Sequence, residues 1–197
     1  MHMGKVITGI TMSLDGFIAG PNDDVSQIFK WYFSGTTDVP MQDGQMVLKV
    51  TPESAVLLRE SIRTTGAMIA GRRMFDIAHA WAGHPPFAPC FIVTHTAAQE
   101  WVKDGSPFTF VTDGIESAVR QAKQAAGDKN VAVATASITQ QCLKAGLLDE
   151  IHIDVAPVLL GAGIRLFDNL DNAPIELEST QVVAASGVTH LTYRVVR

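Results

Sequence analysis

The stretch from Val131 to Phe167, VAVATASITQQCLKAGLLDEIHIDVAPVLLGAGIRLF, leaves a chain like this few ways to fold. Val131 to Val133 is a short β-branched and apolar run of the kind that forms a buried strand, and Ala134-Thr135-Ala136-Ser137 then supplies small residues where a helix would begin. Ser137, with Gln140 three positions on, is the expected N-cap. Ile138, Cys142, Leu143 and Leu147 recur at helical spacing, and Ala145-Gly146 closes the helix. From Glu150 to Leu160 the pattern alternates and then turns continuously apolar, as in a strand covered on both faces. A strand, a helix and a strand in this order lay down parallel neighbours joined by a right-handed crossover. Amide groups exposed at the start of such a helix attract phosphate.

The rest of the chain supplies further strands and helices for the same sheet. Lys5 to Leu14 alternates as a first, central strand; Asp15-Gly16 interrupts it, and Phe17 to Gly20 resumes it. Asp24 to Lys49 is rich in Gly, Pro and aromatic residues and poor in periodicity, so residues 24–50 are expected to be a long functional loop or insertion anchored by Trp31, Tyr32 and Phe33. Those aromatics either pin the loop to the core or stack on a ring-shaped substrate, with Trp31 and Phe33 the candidate substrate contacts. Thr51-Pro52-Glu53 opens a helix with a hydroxyl cap, Pro in the first turn and an acid at the positive end. Ala67 to Ala70, Cys90 to Val93 and Pro107 to Val111 read as short strands, and Ile115 to Gly127 as an amphipathic helix. Pro174 to Ser179, Gln181 to Ala185 and Val188 to Val196 form a closing antiparallel hairpin.

Some residues are out of place on structural grounds alone. Arg72 and Arg73 follow Gly71 at a helix start, where the dipole disfavours cations. Either they are solvated or bridged to Asp76, or they grip a phosphate. Thr94-His95-Thr96 ends a strand and either caps the short helix toward Trp101 or holds phosphate and ribose. Asp15 by itself reads as a plain turn residue, since Asp-Gly is a good turn dipeptide. Gly161-Ala162-Gly163 suits a bulge as well as a ligand contact.

Composition narrows the function classes. With 197 residues, 47% of them hydrophobic, there is material for one sizeable core and no break suggesting a second. A net charge of −5 without a basic run argues against a nucleic-acid surface. No apolar stretch reaches the roughly 18 residues of a membrane span and no signal region opens the chain, so a cytoplasmic location is expected. Cys90 and Cys142 lack metal-ligand spacing, His79 and His84 have no third partner, and no metal site is expected. The apolar hairpin end invites pairing of edges and points to a homodimer. Met1-His2-Met3 is given no role.

Three phrases, KAGLLDEIHIDVAPVLLGAGIRLFD, MSLDGFIAGPND and IAGRRMFD, together resemble the dihydrofolate-reductase-like family that includes the C-terminal reductase domain of the bacterial riboflavin-biosynthesis deaminase-reductase. The likeness runs over nearly the whole chain. It implies a single domain over 1–197 of the α/β class, a three-layer α/β/α dihydrofolate-reductase-like fold with a mostly parallel sheet of about eight strands. It also implies an NADPH-dependent reductase of a small, heterocyclic C=N or C=O substrate, of the 5-amino-6-(5-phosphoribosylamino)uracil reductase type. The implied cofactor residues are Ala19, Gly71, Arg72, Arg73, Thr94, His95, Thr96, Ala134, Thr135, Ala136, Ser137 and Ile138; the GRR phrase resembles the family's nucleotide-phosphate contact, and a guanidinium suits a 2′-phosphate, which favours NADP over NAD. The phrase SLDGFIA makes Asp15 the catalytic and substrate-binding candidate, a group that binds polar substrate atoms or relays a proton. The sequence departs from the family in two places. A turn that usually carries glycines reads Ala134-Thr135-Ala136 here, so each Cβ is expected to crowd a pyrophosphate. The helix position that holds an acid in true dihydrofolate reductases is Ala55, which argues against folate. These departures keep open an alternative, a nucleotide-binding or interaction protein of the same fold without turnover.

Overall fold

The computed structural model describes residues 4–171 and 174–196, and Met1–Met3 lie outside them. In chain order the strands and helices are β1 (Val6–Ser13), β2 (Phe17–Ala19), β3 (Thr37–Met41), β4 (Met46–Val50), α1 (Pro52–Thr64), β5 (Thr65–Gly71), α2 (Arg72–Ile77), β6 (Cys90–Val93), β7 (Phe108–Val111), α3 (Ile115–Ala126), β8 (Asn130–Val133), α4 (Ala136–Lys144), β9 (Glu150–Ala156), β10 (Ile164–Arg165), β11 (Leu177–Ala185) and β12 (Val188–Val195). Eight of the strands form one sheet in the order β11-β12-β9-β1-β8-β5-β6-β7. The six from β9 to β7 are parallel, and β12 and β11 add antiparallel at one edge.

The period of two along each central strand divides its side chains between two helix layers. On one face Ala67, Ile69, Val131 and Val133 pack under Ala118, Val119 and Ala122 of α3 and Ile138, Cys142 and Leu143 of α4. On the other, Met68, Ala70, Cys90 and Ile92 meet Phe75 of α2 and Phe108, whose rings stand edge to face at 5.1 Å. A third, smaller cluster gathers Trp31, Val39, Leu48, Val50, Ala55 and Val188 around α1 and the β3–β4 hairpin. The buried hydroxyls Thr8 and Thr139 meet at 2.7 Å and tie β1 to α4. Thr51 caps α1 as expected, its Oγ1 accepting from the Ser54 amide at 3.3 Å.

Several local expectations are corrected. The cap of α4 is Thr135, in extended conformation, and Ser137 lies inside the first turn; the first intrahelical bond runs from the Thr139 amide to the Thr135 carbonyl. The strand expected to reach Leu160 ends at Ala156, because the following residues cross behind β1, where the Leu14 amide takes the Val158 carbonyl. Residues 24–50 are not a structureless loop: β3 and β4 pair over five positions, with short 3-10 turns before and between them. The expected strand pieces on either side of Thr180 are one strand, Leu177–Ala185, with a register shift between Ser179 and Gln181. The edge strand β11 is exposed along most of its length.

Asp15-Gly16 interrupts the first strand as expected, and the carboxylate of Asp15 fastens the loop that follows β9. It accepts from Ser13 Oγ at 2.6 Å, from the Leu160 amide at 3.1 Å and from the Gly161 amide at 2.7 Å. The glycine-rich run therefore serves close packing: a Cβ on Gly163 would lie 1.9 Å from the Ala19 carbonyl oxygen. The Ser13 hydroxyl, with the two loop amides, lowers the Asp15 pKa to about 2.

Two outcomes follow for stability. Ile69→Ala removes a fully buried side chain between β5 and the α3–α4 layer and is expected to cost about 2–5 kcal/mol, measured as a lower midpoint in urea. Asp15→Asn is expected to lower the melting temperature at neutral pH. Because the folded carboxyl is depressed, its stabilisation is complete above the ordinary value of 3.8 and fades as pH falls toward about 2. Melting curves of wild type and Asp15→Asn should therefore converge in that acid window; a constant gap down to the lowest pH would contradict it.

Candidate active site

The turns that end β5 and β8 make the site. These strands are neighbours, paired Met68 to Ala132 and Ile69 to Val133, but α2 leaves on one face of the sheet and α4 on the other. Adjacent strands whose helices diverge leave a crevice at their carboxyl ends, where open α/β sheets bind ligands. Gly71 stands on one side of the crevice, and a Cβ placed there would sit 3.4 Å from Thr135 Oγ1 and 3.6 Å from Ser137 Oγ. The crevice opens into a cleft of about 1340 Å³.

All twelve candidate cofactor residues line that cleft: Ala19, Gly71, Arg72, Arg73, Thr94, His95, Thr96, Ala134, Thr135, Ala136, Ser137 and Ile138. None of residues 134–136 has a positive φ, so the turn needs no glycine, and Thr135 itself is extended at φ −159°. Thr135 Oγ1 does not cap its own helix and is buried without a hydrogen-bond partner. The first amides of α4 likewise have no intrahelical acceptor.

The guanidinium pair is already partly engaged. Arg72 donates to Asp76 at 2.8 Å, as one of the two sequence readings had it, and also to the Thr96 carbonyl at 2.8 Å, joining the ends of β5 and β6. Arg73 reaches across to Asp23 in a forked pair at 2.8 and 3.0 Å. Thr94 Oγ1 donates to the Thr96 carbonyl and accepts from its amide, closing a tight turn with the His95 side chain exposed on the cleft. A guanidinium offers five donors, and neither Arg spends all of them on these partners.

The substrate and catalytic candidates divide differently. Phe33 lines the cleft and is 58% exposed. Trp31 is buried away from it, edge-on to the His190 ring at 5.3 Å, so it anchors the 24–50 segment and presents no face for stacking. Asp15 does not line the cleft, and a carboxyl held near 2 by three donors carries no proton to give at neutral pH. This geometry gives Asp15 a structural role in place of the catalytic and substrate-binding ones expected of it.

Sequence reasoning missed a polar row on the sheet floor. Thr11, Asp154 and His190 stand side by side on β1, β9 and β12. His190 Nδ1 lies 2.6 Å from Asp154 Oδ1, and its Nε2 lies 2.8 Å from Ser54 Oγ on α1. With Nδ1–H donating to the carboxylate, Nε2 accepts from the Ser54 hydroxyl, which in turn accepts from Thr51 Oγ1 at 3.2 Å. The order Ser, His, Asp matches a nucleophilic triad, but Ser54 is 0% exposed and touches no cleft. Its neighbour Ala55 is buried too, and the carboxylate of this row is Asp154 on β9. Tyr32 adjoins the row: burial, then the Asp154 charge, raise its phenol well above the ordinary range, against a smaller opposing pull from the Thr11 hydroxyl. Only the odd polar residues at alternate positions of His152-Ile153-Asp154 hinted at this row, and that pattern also fits a solvent-facing strand.

Among the described residues no three His, Cys, Asp or Glu side chains converge as a metal ion would require. Cys90 and Cys142 are buried free thiols, and burial holds the latter up at about 12. No helix of the described residues is long and apolar enough to cross a membrane.

Known proteins share this fold. A Shewanella sp. PV-4 protein assigned to riboflavin biosynthesis superposes with a TM-score of 0.75 at 20% identity, covering 98% of this chain and 99% of that one. Dihydrofolate reductase from Enterococcus faecalis, complexed with NADP(H), superposes with a TM-score of 0.60 at 12% identity over 99% of this chain and 98% of its own. The Bacillus subtilis protein YwjB, itself uncharacterised, is 24% identical over 168 residues, 85% of each chain. The fold is thus the dihydrofolate-reductase-like one. Residues 4–191 match the RibD C-terminal domain, and the chain belongs to that family.

Proposed function

We propose that this protein is an NADPH-dependent reductase of a small heterocyclic compound with a C=N or C=O bond. The observation that carries this reading is Thr135 Oγ1, buried and without a partner, in a crevice between two divergent helix starts that every candidate cofactor residue lines. An unpaired buried hydroxyl is costly in a folded protein unless a ligand completes it. With NADPH bound, the cofactor would supply the hydride. The chain's own residues would do the holding. Thr135, Ser137 and the first amides of α4 fit a diphosphate, Gly71 leaves it room, and Arg72 with Thr94-His95-Thr96 would hold the adenosine side. Arg73 extends the same cationic edge through its tie to Asp23.

The substrate would occupy the arm of the cleft between α1 and the sheet, walled by Leu57 and Leu58 and by Tyr32, Phe33 and Met41 of the 24–50 segment. That segment would set specificity. Because Asp15 is spent on the loop behind β1, the proton would come from solvent. The reading includes a homodimer and a cytoplasmic location. What favours a dimer is the open edge of β11, where Val182 is 62% exposed. Chromatography with in-line mass measurement should give twice 21.2 kDa; a monomer would remove this part.

The cofactor is tested by quenching of tryptophan fluorescence on adding NADPH, followed by a screen for its oxidation with aminopyrimidines, pterins and cyclic carbonyls. Gly71→Ala, whose φ of −84° and nearest contact of 3.4 Å allow the wild-type backbone, should melt like wild type yet bind NADPH about tenfold more weakly, about 1.4 kcal/mol. Arg72→Ala should narrow the preference for NADPH over NADH. No binding at millimolar NADPH would overturn the reading and favour a protein of this fold without turnover.

A further inference from the structure

We propose that Asp154 is the substrate-orienting residue, and that the substrate presents it with ring N–H or amino donors and carries no phosphate. The inference rests on the reading of this cleft as a reductase site and specifies what that site takes. Its first support is the placement of the carboxylate. Asp154 faces the cleft with its side chain 23% exposed, and His190 occupies only Oδ1, so Oδ2 remains for a ligand. Its second support is the setting of that carboxylate: Thr11, next to Asp154 across the β1–β9 pair and only 2% exposed, turns its hydroxyl to the Tyr32 phenol and so leaves Oδ2 to a ligand. A fixed acceptor with one open oxygen on the floor of a cleft is what the polar edge of a planar ring requires.

The charge balance of the cleft disfavours the opposite chemistry. Among the described residues lining it, the permanent cations are Arg72 and Arg73, both at the cofactor end and both paired with acids. The floor of the substrate arm continues from Asp154 to His152 and Glu150 on β9, with Gly9 of β1 leaving open space above them. A phosphorylated substrate would meet carboxylates there, and the ammonium beside them, Lys5 Nζ, is already held by Glu150 at 2.5 Å. His190 and Ser54 are positioning residues in this scheme. The buried chain of donors from Thr51 through Ser54 to His190 fixes the imidazole, and the imidazole fixes the carboxylate.

The test uses titration calorimetry on the full chain, with 2,4-diaminopyrimidine as the donor-bearing ring, 2,4-dimethoxypyrimidine as its donor-free counterpart and ribose 5-phosphate as the phosphate probe. Each is run without and with saturating NADPH. The diamino ring should bind at least about tenfold more tightly than the dimethoxy ring, and ribose 5-phosphate should not compete with it. Asp154→Asn and Asp154→Ala should both erase that preference while leaving NADPH quenching at the wild-type level, which also shows that they fold. In the proton NMR spectrum, a low-field His190 Nδ1 signal should shift on adding the diamino ring and be lost in Asp154→Asn. Equal binding of the two rings, an unchanged preference in Asp154→Asn, no ring binding at all, or displacement by ribose 5-phosphate would each overturn the inference. Because the ring titration without cofactor is independent of NADPH, its failure is distinct from a failure of NADPH to bind.

Discussion

The pairing of β5 with β8 is the constraint on which the rest of the structure depends. These two strands are far apart in the chain yet lie side by side, and each feeds a helix to a different face of the sheet. The hydrogen bonds of the pair hold Gly71 across a narrow gap from the Thr135 and Ser137 hydroxyls, and the divergence of α2 and α4 opens the crevice beyond them. Loss of either strand's register would move every side chain of that strand to the wrong layer, since the period is two. The core on one face and the site at the strand ends are therefore consequences of one ladder.

The second organising element is polar. On the open side of the sheet the chain buries a run of hydroxyl, imidazole and carboxylate groups instead of filling the space with apolar residues. Such a network costs desolvation and is sustained only when its members satisfy one another. Here Thr51, Ser54, His190 and Asp154 do so along one line, while Thr135, at the start of α4, is left with an unmade bond. Affinity for a ligand is expected where a folded protein leaves such groups incomplete.

Reading the chain by its periodicities was reliable where burial alone decided the outcome. Cys90–Val93, the α1 cap at Thr51 and the break at Asp15-Gly16 all fell where expected, because each depends on neighbours in sequence. It was less reliable where a distant partner sets the end of an element. Pro157 to Leu160 are apolar yet lie outside the sheet, because the Asp15 carboxylate and the Leu14 amide capture their backbone. Residues 24–50 looked shapeless because a two-stranded hairpin resting on α1 carries its apolar side chains on one face only.

The site shows the same division. The sequence alone determined that a small-residue turn opens α4, that two arginines stand at the start of α2 and that Thr94-His95-Thr96 ends a strand, because these features are contiguous and their chemistry is local. That they face one cleft was decided by the strand order. Only the tertiary structure could move Asp15 from the chemistry to the scaffold, by bringing it against amides about 145 residues away in the chain. It alone could assemble Ser54, Asp154 and His190, which share no spacing or motif and meet because β12 folds back antiparallel on β9 beneath α1. Local sequence encodes propensity and cap chemistry; which carboxylate faces a ligand is set by pairing between distant strands.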